Sequence, residues 1–119
     1  MKVAVAASGR DMNAPLDPRF GRAAAFVVYD TDGDSFEVVD NTMNLNAAQG
    51  AGVQTAQNVA ATGALAVIGS NFGPKAVQVL QAAGIKMYLC SASTVGAALG
   101  QFKAGQLTEA SGANVRSHW

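Results

Sequence analysis

Two arginines lie close together in one eight-residue segment, LDPRFGRA (16–23), of a chain that carries little charge. Arg19 and Arg22 flank a Phe-Gly pair, and the whole protein has only 8 lysines and arginines. Guanidinium groups form forked, charge-assisted hydrogen bonds with oxyanions, and their weak hydration also suits large, sulfide-covered anions. The segment therefore predicts an anion-binding loop. A salt bridge from Asp17 to one of the arginines is the purely structural alternative.

Glycine-rich turns before two predicted helices form a second group of candidate ligand contacts. GSNFGP (69–74) precedes a helix in which Lys75 is the second residue, and GAGV (50–53) is a similar helix entry. Backbone N–H groups at a helix start bind anions, and glycine allows a ligand to approach the backbone closely. An ordinary β–α turn is the alternative for 69–74. Neither stretch matches a dinucleotide-binding or Walker A motif.

Thiol and imidazole groups are scarce, since Cys90 and His118 are the single cysteine and histidine. Cys90 begins CSAST (90–94), where we predict that a strand ends and a helix begins, with Ser91 or Ser93 as N-cap. A thiol at a helix start can be reactive, but a free cysteine is more often a buried structural residue. An iron–sulfur cluster takes about four thiolates, so this chain alone does not hold one in that way.

The remaining composition favours a binding or carrier protein over an enzyme. A base-activated nucleophile, an acid pair and a metal-binding triad are all missing from the sequence. Five of the 8 acidic residues lie within 30–40, where they indicate a solvated hairpin and not a calcium loop. Zero net charge predicts no general attraction to nucleic acid or membrane surfaces. No apolar run approaches the ~18 residues of a membrane span, and we expect a cytoplasmic protein.

The elements that must position these residues follow from apolar runs and glycine or proline breaks. Strands are predicted at 2–7, 24–30, 35–41, 64–70 and 85–90, and helices at 53–63, 74–84 and 94–105. The order predicts a single α/β domain over 1–119 with a three-layer, mixed five-stranded sheet, one antiparallel strand and a flexible tail at 109–119. Ligands bind beyond the carboxyl ends of parallel strands, where loops 8–22, 69–73 and 90–94 and the helix start near 50–53 are expected to meet.

Four segments together resemble a known protein family. They are the strand KVAVA, the run PRFGRA with the following AAFVVYD, the long stretch GVQTAQNVAATGALAVIGSNFGPKAVQVLQAAGIKMY, and TVGAALGQFKAGQL. In this order they resemble the dinitrogenase iron–molybdenum cofactor biosynthesis family, the NifX-like and NifB C-terminal domains, over residues 1–109. The resemblance implies a ribonuclease H-like fold and the carriage of anionic metal–sulfur cofactors. The likeness to small single-domain members implies a molybdenum–copper–sulfide cluster that is bound non-covalently.

The resemblance and the residue types together define the expected cofactor site. Some relatives use histidine or cysteine ligands, but with one of each this chain is not expected to ligate metal directly, and Cys90 and His118 are its candidates if it does. Contacts to the cluster are expected from Arg19, Phe20, Gly21, Arg22, Gly50, Gly52, Asn71, Phe72, Gly73, Lys75, Ser91, Ser93 and Thr94, with the two phenylalanines as an apolar wall. Acceptor or regulatory proteins are the expected partners.

Two other functions remain open from the sequence. The domain could be a protein-interaction or regulatory module that never carries metal. A hydrolase or nuclease of the ribonuclease H type is disfavoured, because such enzymes need converging carboxylates for paired metal ions. Only Asp11 and Asp17 lie in the loops expected at the ligand edge.

Overall fold

One mixed sheet runs through the protein in the computed structural model, which describes residues 1–45 and 50–113. The strands are β1 (Lys2–Ala7), β2 (Ala25–Asp30), β3 (Ser35–Asp40), β4 (Ala66–Gly69), β5 (Lys86–Leu89) and β6 (Thr108–Glu109). The helices are α1 (Thr42–Leu45), α2 (Ala51–Ala61), α3 (Pro74–Ala82) and α4 (Val95–Lys103), and a 3-10 turn covers Phe20–Arg22. Within this described part, none of the helices has the length and apolar character that a membrane crossing requires.

The strand order in the sheet is β3-β2-β1-β4-β5-β6. β1, β4 and β5 are parallel, with Val5 opposite Ile68 and Val67 opposite Met87. β2 is antiparallel to both β1 and β3, which confirms the predicted hairpin. Since β3 therefore runs in the direction of β1, the carboxyl ends of β1, β3, β4 and β5 all lie at the same edge of the sheet.

The prediction of five strands with one antiparallel strand is corrected, because the sheet has a sixth strand that is also antiparallel to its neighbour. β6 pairs with β5, placing Thr108 opposite Leu89 and Glu109 opposite Tyr88. Ala110 follows as a buried residue whose N–H donates to the carbonyl of Met87 at 2.8 Å. The expected flexible tail is thus wrong at its beginning, because residues 109 and 110 are held against β5. Residues 114–119, including His118, lie outside the described part of the chain.

Apolar side chains cover both faces of the sheet. One cluster joins Ala4 and Ala6 of β1 with residues of α2 and α3, and a second joins Val3 and Val5 with residues of α4. Alternate residues of β1 thus face different helices, which explains why this strand is apolar throughout. The first cluster contains three rings, since Phe20 lies 5.4 Å from Phe26 and 5.2 Å from Phe72 between ring centroids.

Local sequence signals account for most helix boundaries. Pro74 is the first residue of α3, as predicted, because its missing N–H is not needed there. Gly63 follows α2 with φ at 83°, the left-handed conformation that commonly ends a helix. α2 begins two residues before the predicted position 53. The N-cap of α4 is Thr94, so the expected capping by Ser91 or Ser93 is wrong.

Candidate functional site

Two loops meet at the carboxyl edge of the parallel strands. The N–H of Phe20 donates to the carbonyl of Asn71 at 3.4 Å. In return, the side-chain amide of Asn71 donates to the carbonyl of Pro18 at 2.7 Å. The arginine loop, which we define as residues 16–23, is therefore joined to the glycine-rich turn between β4 and α3.

The first turns of α2 and α3 lie side by side at this edge. A Cβ built on Gly52 would be 3.7 Å from both the Cβ and the backbone N of Ala76. Gly50 and Gly73 are the N-cap residues, and no side chain of the described residues caps either helix. The first N–H groups of a helix lack partners inside it and carry a partial positive charge. Two such helix starts in contact form a concentrated set of anion-binding donors.

Cationic side chains accompany these donors. Arg19 is exposed and Arg22 is half-buried in the 3-10 turn, while Lys75 is exposed in the first turn of α3. In residues 1–45 and 50–113, the guanidinium of Arg19 and the ammonium of Lys75 form no ion pair with a carboxylate. The predicted alternative of a salt bridge from Asp17 to Arg19 is thus not present there.

Asp17 instead organises the backbone of the arginine loop. Its carboxylate is buried, with 5% of the residue exposed. One oxygen accepts the N–H of Arg19 at 3.0 Å, and the other accepts the hydroxyl of Ser8 at 3.3 Å and the N–H of Ala24 at 3.4 Å. This carboxylate fixes the backbone on both sides of the 3-10 turn.

The two phenylalanines expected as an apolar wall lie in the core. Phe20 is 1% exposed and Phe72 is 0% exposed, and their rings are in contact. A ligand at the surface would not reach either ring, so the expectation of a contact wall is corrected. Phe20 anchors the arginine loop in the core, and Phe72 anchors the 69–73 turn there.

A buried polar network that the sequence did not reveal supports the arginine loop from below. Thr55 of α2 donates its hydroxyl to the carbonyl of Gly21 at 2.9 Å. Asn41 donates its amide to the carbonyl of Ala23 at 2.8 Å and to the hydroxyl of Thr55 at 3.2 Å. Thr55 and Asn41 are both 0% exposed. The signal in the sequence that could have indicated this network is Thr55, a polar residue among the apolar positions of α2.

The start of α4 differs from the starts of α2 and α3, because protein groups already occupy its donors. The N–H groups of Val95 and Gly96 donate to the carbonyls of Ala14 and Met12 at 2.9 and 2.8 Å. The N–H of Ala97 donates to the hydroxyl of Thr94 at 3.1 Å. The start of α4 therefore has no free N–H among these three to offer a ligand, and contacts from the 90–94 turn would have to come from its side chains. Ser91 and Ser93 are exposed beside this closed helix start.

Cys90 is placed as a structural residue. It is 6% exposed and belongs to the core cluster beneath α4. Its sulfur accepts the N–H of Ala92 at 3.3 Å and lies 3.6 Å from the side-chain oxygen of Gln101. Among the described residues, no three His, Cys, Asp or Glu side chains come together in a way that could hold a metal ion.

The sequence of the chain is similar to a known family and to a protein of an archaeon. The sequence profile described as dinitrogenase iron-molybdenum cofactor matches residues 1–105. An uncharacterized protein of Methanocaldococcus jannaschii is 31% identical over 98 residues, which cover 80% of this chain and 82% of that protein.

Among the solved structures with a similar fold, two are also similar in sequence. The apo form of the orange protein from Desulfovibrio gigas is 43% identical, with a TM-score of 0.92 and 96% of each chain covered. A candidate NifB protein from Thermotoga is 37% identical, with a TM-score of 0.81 and 91% of each chain covered.

Proposed function

Because the chain belongs to the dinitrogenase iron–molybdenum cofactor family, we propose that it binds and carries an anionic metal–sulfur cofactor at the paired starts of α2 and α3. The close approach of α2 to α3 beside Gly52 and Ala76 is the observation that carries this proposal, since it brings together two helix starts that no described side chain caps. The adjoining arginine loop supplies Arg19 and Arg22. We propose a molybdenum–copper–sulfide cluster as the cargo, which is the cofactor implied by the resemblance to small single-domain members of the family.

Hydrogen bonds and charge can hold such a cluster without a bond from protein to metal. A cluster whose outer atoms are sulfides presents negative charge to N–H and guanidinium donors. Each charge-assisted hydrogen bond contributes about 1.5–3 kcal/mol, so loss of one contact weakens binding roughly 10- to 100-fold. We include Lys75 and the backbones of Gly50, Gly52, Asn71 and Gly73 among the proposed contacts, together with Gly21, Ser91, Ser93 and Thr94 at its margins.

Reconstitution with tetrathiomolybdate and Cu(I), followed by visible absorbance and metal analysis, tests the proposal. The wild-type protein should become coloured and retain the metals through gel filtration. Arg19→Ala with Arg22→Ala should lower the affinity at least tenfold. Lys86→Ala is the matched control, because Lys86 is an exposed cation at the opposite, amino end of β5.

A negative charge introduced between the starts of α2 and α3 should prevent cofactor binding without preventing folding. Gly52→Asp puts a carboxylate beside the backbone N of Ala76, where it repels an anion but interacts favourably with the helix dipole. We expect this variant to fold and to stay colourless, whereas Gly52→Ala, which meets only ordinary contacts at 3.7 Å, should still bind. Wild-type colour in Gly52→Asp would place the cofactor elsewhere.

Cysteine replacement tests the absence of a covalent attachment. Cys90 is buried and engaged with Ala92 and Gln101, so Cys90→Ser should leave the absorbance of the reconstituted protein largely unchanged. A colourless but folded Cys90→Ser protein would show that a thiolate bond holds the cofactor.

A further inference from the structure

Among residues 1–45 and 50–113, no strand lies beside the outer edge of β3, because β3 is the first strand in the sheet order. The N–H of Asn41 donates to Ala24, and the pairing register continues from there along β2 and β3. Hydrogen-bonded pairs alternate in an antiparallel ladder, so Phe36, Val38 and Asp40 direct their N–H and C=O groups outward. Nothing in the described part of the chain pairs with these outward groups.

This edge lacks several of the features with which proteins usually block strand addition, although it carries the carboxylates of Glu37 and Asp40. β3 is six residues long and contains no proline, lysine or arginine. The opposite edge strand, β6, has only two residues. Short edge strands, prolines and lysines are common protections against pairing with another chain. β3 is therefore the long, open edge of the sheet, and Phe36 on it is 46% exposed.

A groove of about 410 Å³ runs along the same edge. It lies between β3 and α2 and is lined by Glu37, Val39, Asp40, Met43, Asn58, Ala61 and Thr62. An added strand would direct every second side chain toward α2 and thus into this groove. Met43, which is 78% exposed, and Val39 offer apolar surface to such side chains. Backbone pairing with pockets for alternate side chains is a recurring mode of peptide recognition.

The charge of the edge indicates what kind of strand it accepts. Asp34, Glu37 and Asp40 lie on or beside β3. The carboxylate of Asp40 lies 3.9 Å from the guanidinium of Arg10, and that of Asp34 lies 3.9 Å from the ammonium of Lys103. Glu37 has no ion pair with a described residue. Pairing two copies of β3 would bring three carboxylates of each copy together, and like charges across strands are destabilising. A basic segment matches this edge.

We infer that β3 docks an extended, basic segment of a partner protein, which adds to the sheet as a further strand and places alternate side chains in the groove beside α2. The docked segment would end close to the proposed cofactor site, because Asn41 follows β3 and is bonded to Ala23 and Thr55. A partner that gives or takes a cofactor would then be correctly placed. The docking itself does not depend on the proposed function.

A synthetic peptide, the acetylated and amidated hexapeptide Lys-Val-Lys-Val-Lys-Val, is the probe for this inference. Titration into the full-length, isotope-labelled protein should shift the amide signals of Phe36, Val38 and Asp40 and slow their hydrogen exchange. Glu37→Gln should weaken binding about two- to fivefold, the size of one exposed ion pair. Val38→Pro removes an outward donor at an edge position that tolerates proline and should abolish binding.

An N-methylated control peptide decides between strand addition and simple attraction of charge. The same hexapeptide with N-methyl groups on the amides that face β3 keeps its charge but loses its donors, and it should not bind. Equal binding of this peptide, or unchanged amide signals of β3 with the parent peptide, would overturn the inference. A concentration-dependent doubling of mass that Val38→Pro removes would instead identify a second copy as the occupant, which also overturns it.

Discussion

Replacing Asp17 by asparagine tests whether one buried carboxylate holds the arginine loop in place. Asparagine keeps one acceptor oxygen, which can still receive the N–H of Arg19. It places an amide NH2 where the second carboxylate oxygen now accepts the N–H of Ala24 and the hydroxyl of Ser8. The hydroxyl can rotate to accept a hydrogen bond, whereas the backbone N–H of Ala24 is left facing another donor.

The size of the effect follows from these three contacts. The bond to Arg19 changes from charge-assisted to neutral, a loss of about 1 kcal/mol. The lost acceptor leaves the N–H of Ala24 unsatisfied, at a cost of about 1–2 kcal/mol because that bond is long at 3.4 Å. We expect the free energy of unfolding to fall by about 2–3 kcal/mol in Asp17→Asn. Ser8→Ala removes only the 3.3 Å hydroxyl contact and should cost less than ~1 kcal/mol.

Urea unfolding followed by circular dichroism measures both variants. With a slope of about 1–3 kcal/mol per molar urea, the unfolding midpoint of Asp17→Asn should lie about 0.7–3 M below that of the parent protein. The hydrogen exchange of the Ala24 amide should also become faster than in Ser8→Ala. If Asp17→Asn unfolds within about 0.5 kcal/mol of the parent, or no earlier than Ser8→Ala, the carboxylate does not organise this loop.

Three further predictions follow from other contacts. Thr94→Ala should lower the free energy of unfolding by about 1 kcal/mol, since it removes the N-cap of α4, while Thr94→Ser should retain most of it in the same urea assay. Phe72→Ala should cost about 3–5 kcal/mol, because the ring is fully buried against Phe20, and a variant near parental stability would contradict the packing described. Hydrogen bonds from the backbone N–H of Thr42 and, second, from its hydroxyl lower the pKa of Asp40 from its ordinary value of 3.8. The ionised carboxylate therefore stabilises the folded state above pH 3.8, and this stabilisation is lost as the pH falls through the lowered pKa. An NMR titration should show the pKa of Asp40 rising in Thr42→Val, and an unchanged value would remove the hydroxyl as a cause.

Local patterns in the sequence were sufficient for most of the fold. The apolar run of β1, the Asp-Gly turn between β2 and β3, and Pro74 at the start of α3 each predicted an element that the structure contains. β6 could not be found in this way. It has two exposed residues, and its pairing with β5 is a tertiary contact without a local signal.

The candidate site was predictable only in outline. The order of strands and helices placed the arginine loop and the 69–73 turn at one edge, where the bond between Phe20 and Asn71 joins them. The sequence could not show at which helix starts other parts of the chain accept the first N–H groups. The start of α4 is closed by the carbonyls of Met12 and Ala14, residues more than eighty positions earlier in the chain. Burial of Phe72 likewise depends on packing against the distant Phe20.

The contact of Gly52 with Ala76 has a consequence for how tightly and how reversibly a cargo is held. The small size of Gly52 and Ala76 allows the first turns of α2 and α3 to lie close together, since even a Cβ added at Gly52 would be only 3.7 Å from Ala76. Under the proposed function, donors already placed together in the folded protein need little rearrangement when the cofactor arrives, so binding incurs little loss of conformational entropy. Affinity obtained from prepositioned donors requires no metal–thiolate bond to break on release. A protein built in this way can hold its cargo firmly and still hand it over intact.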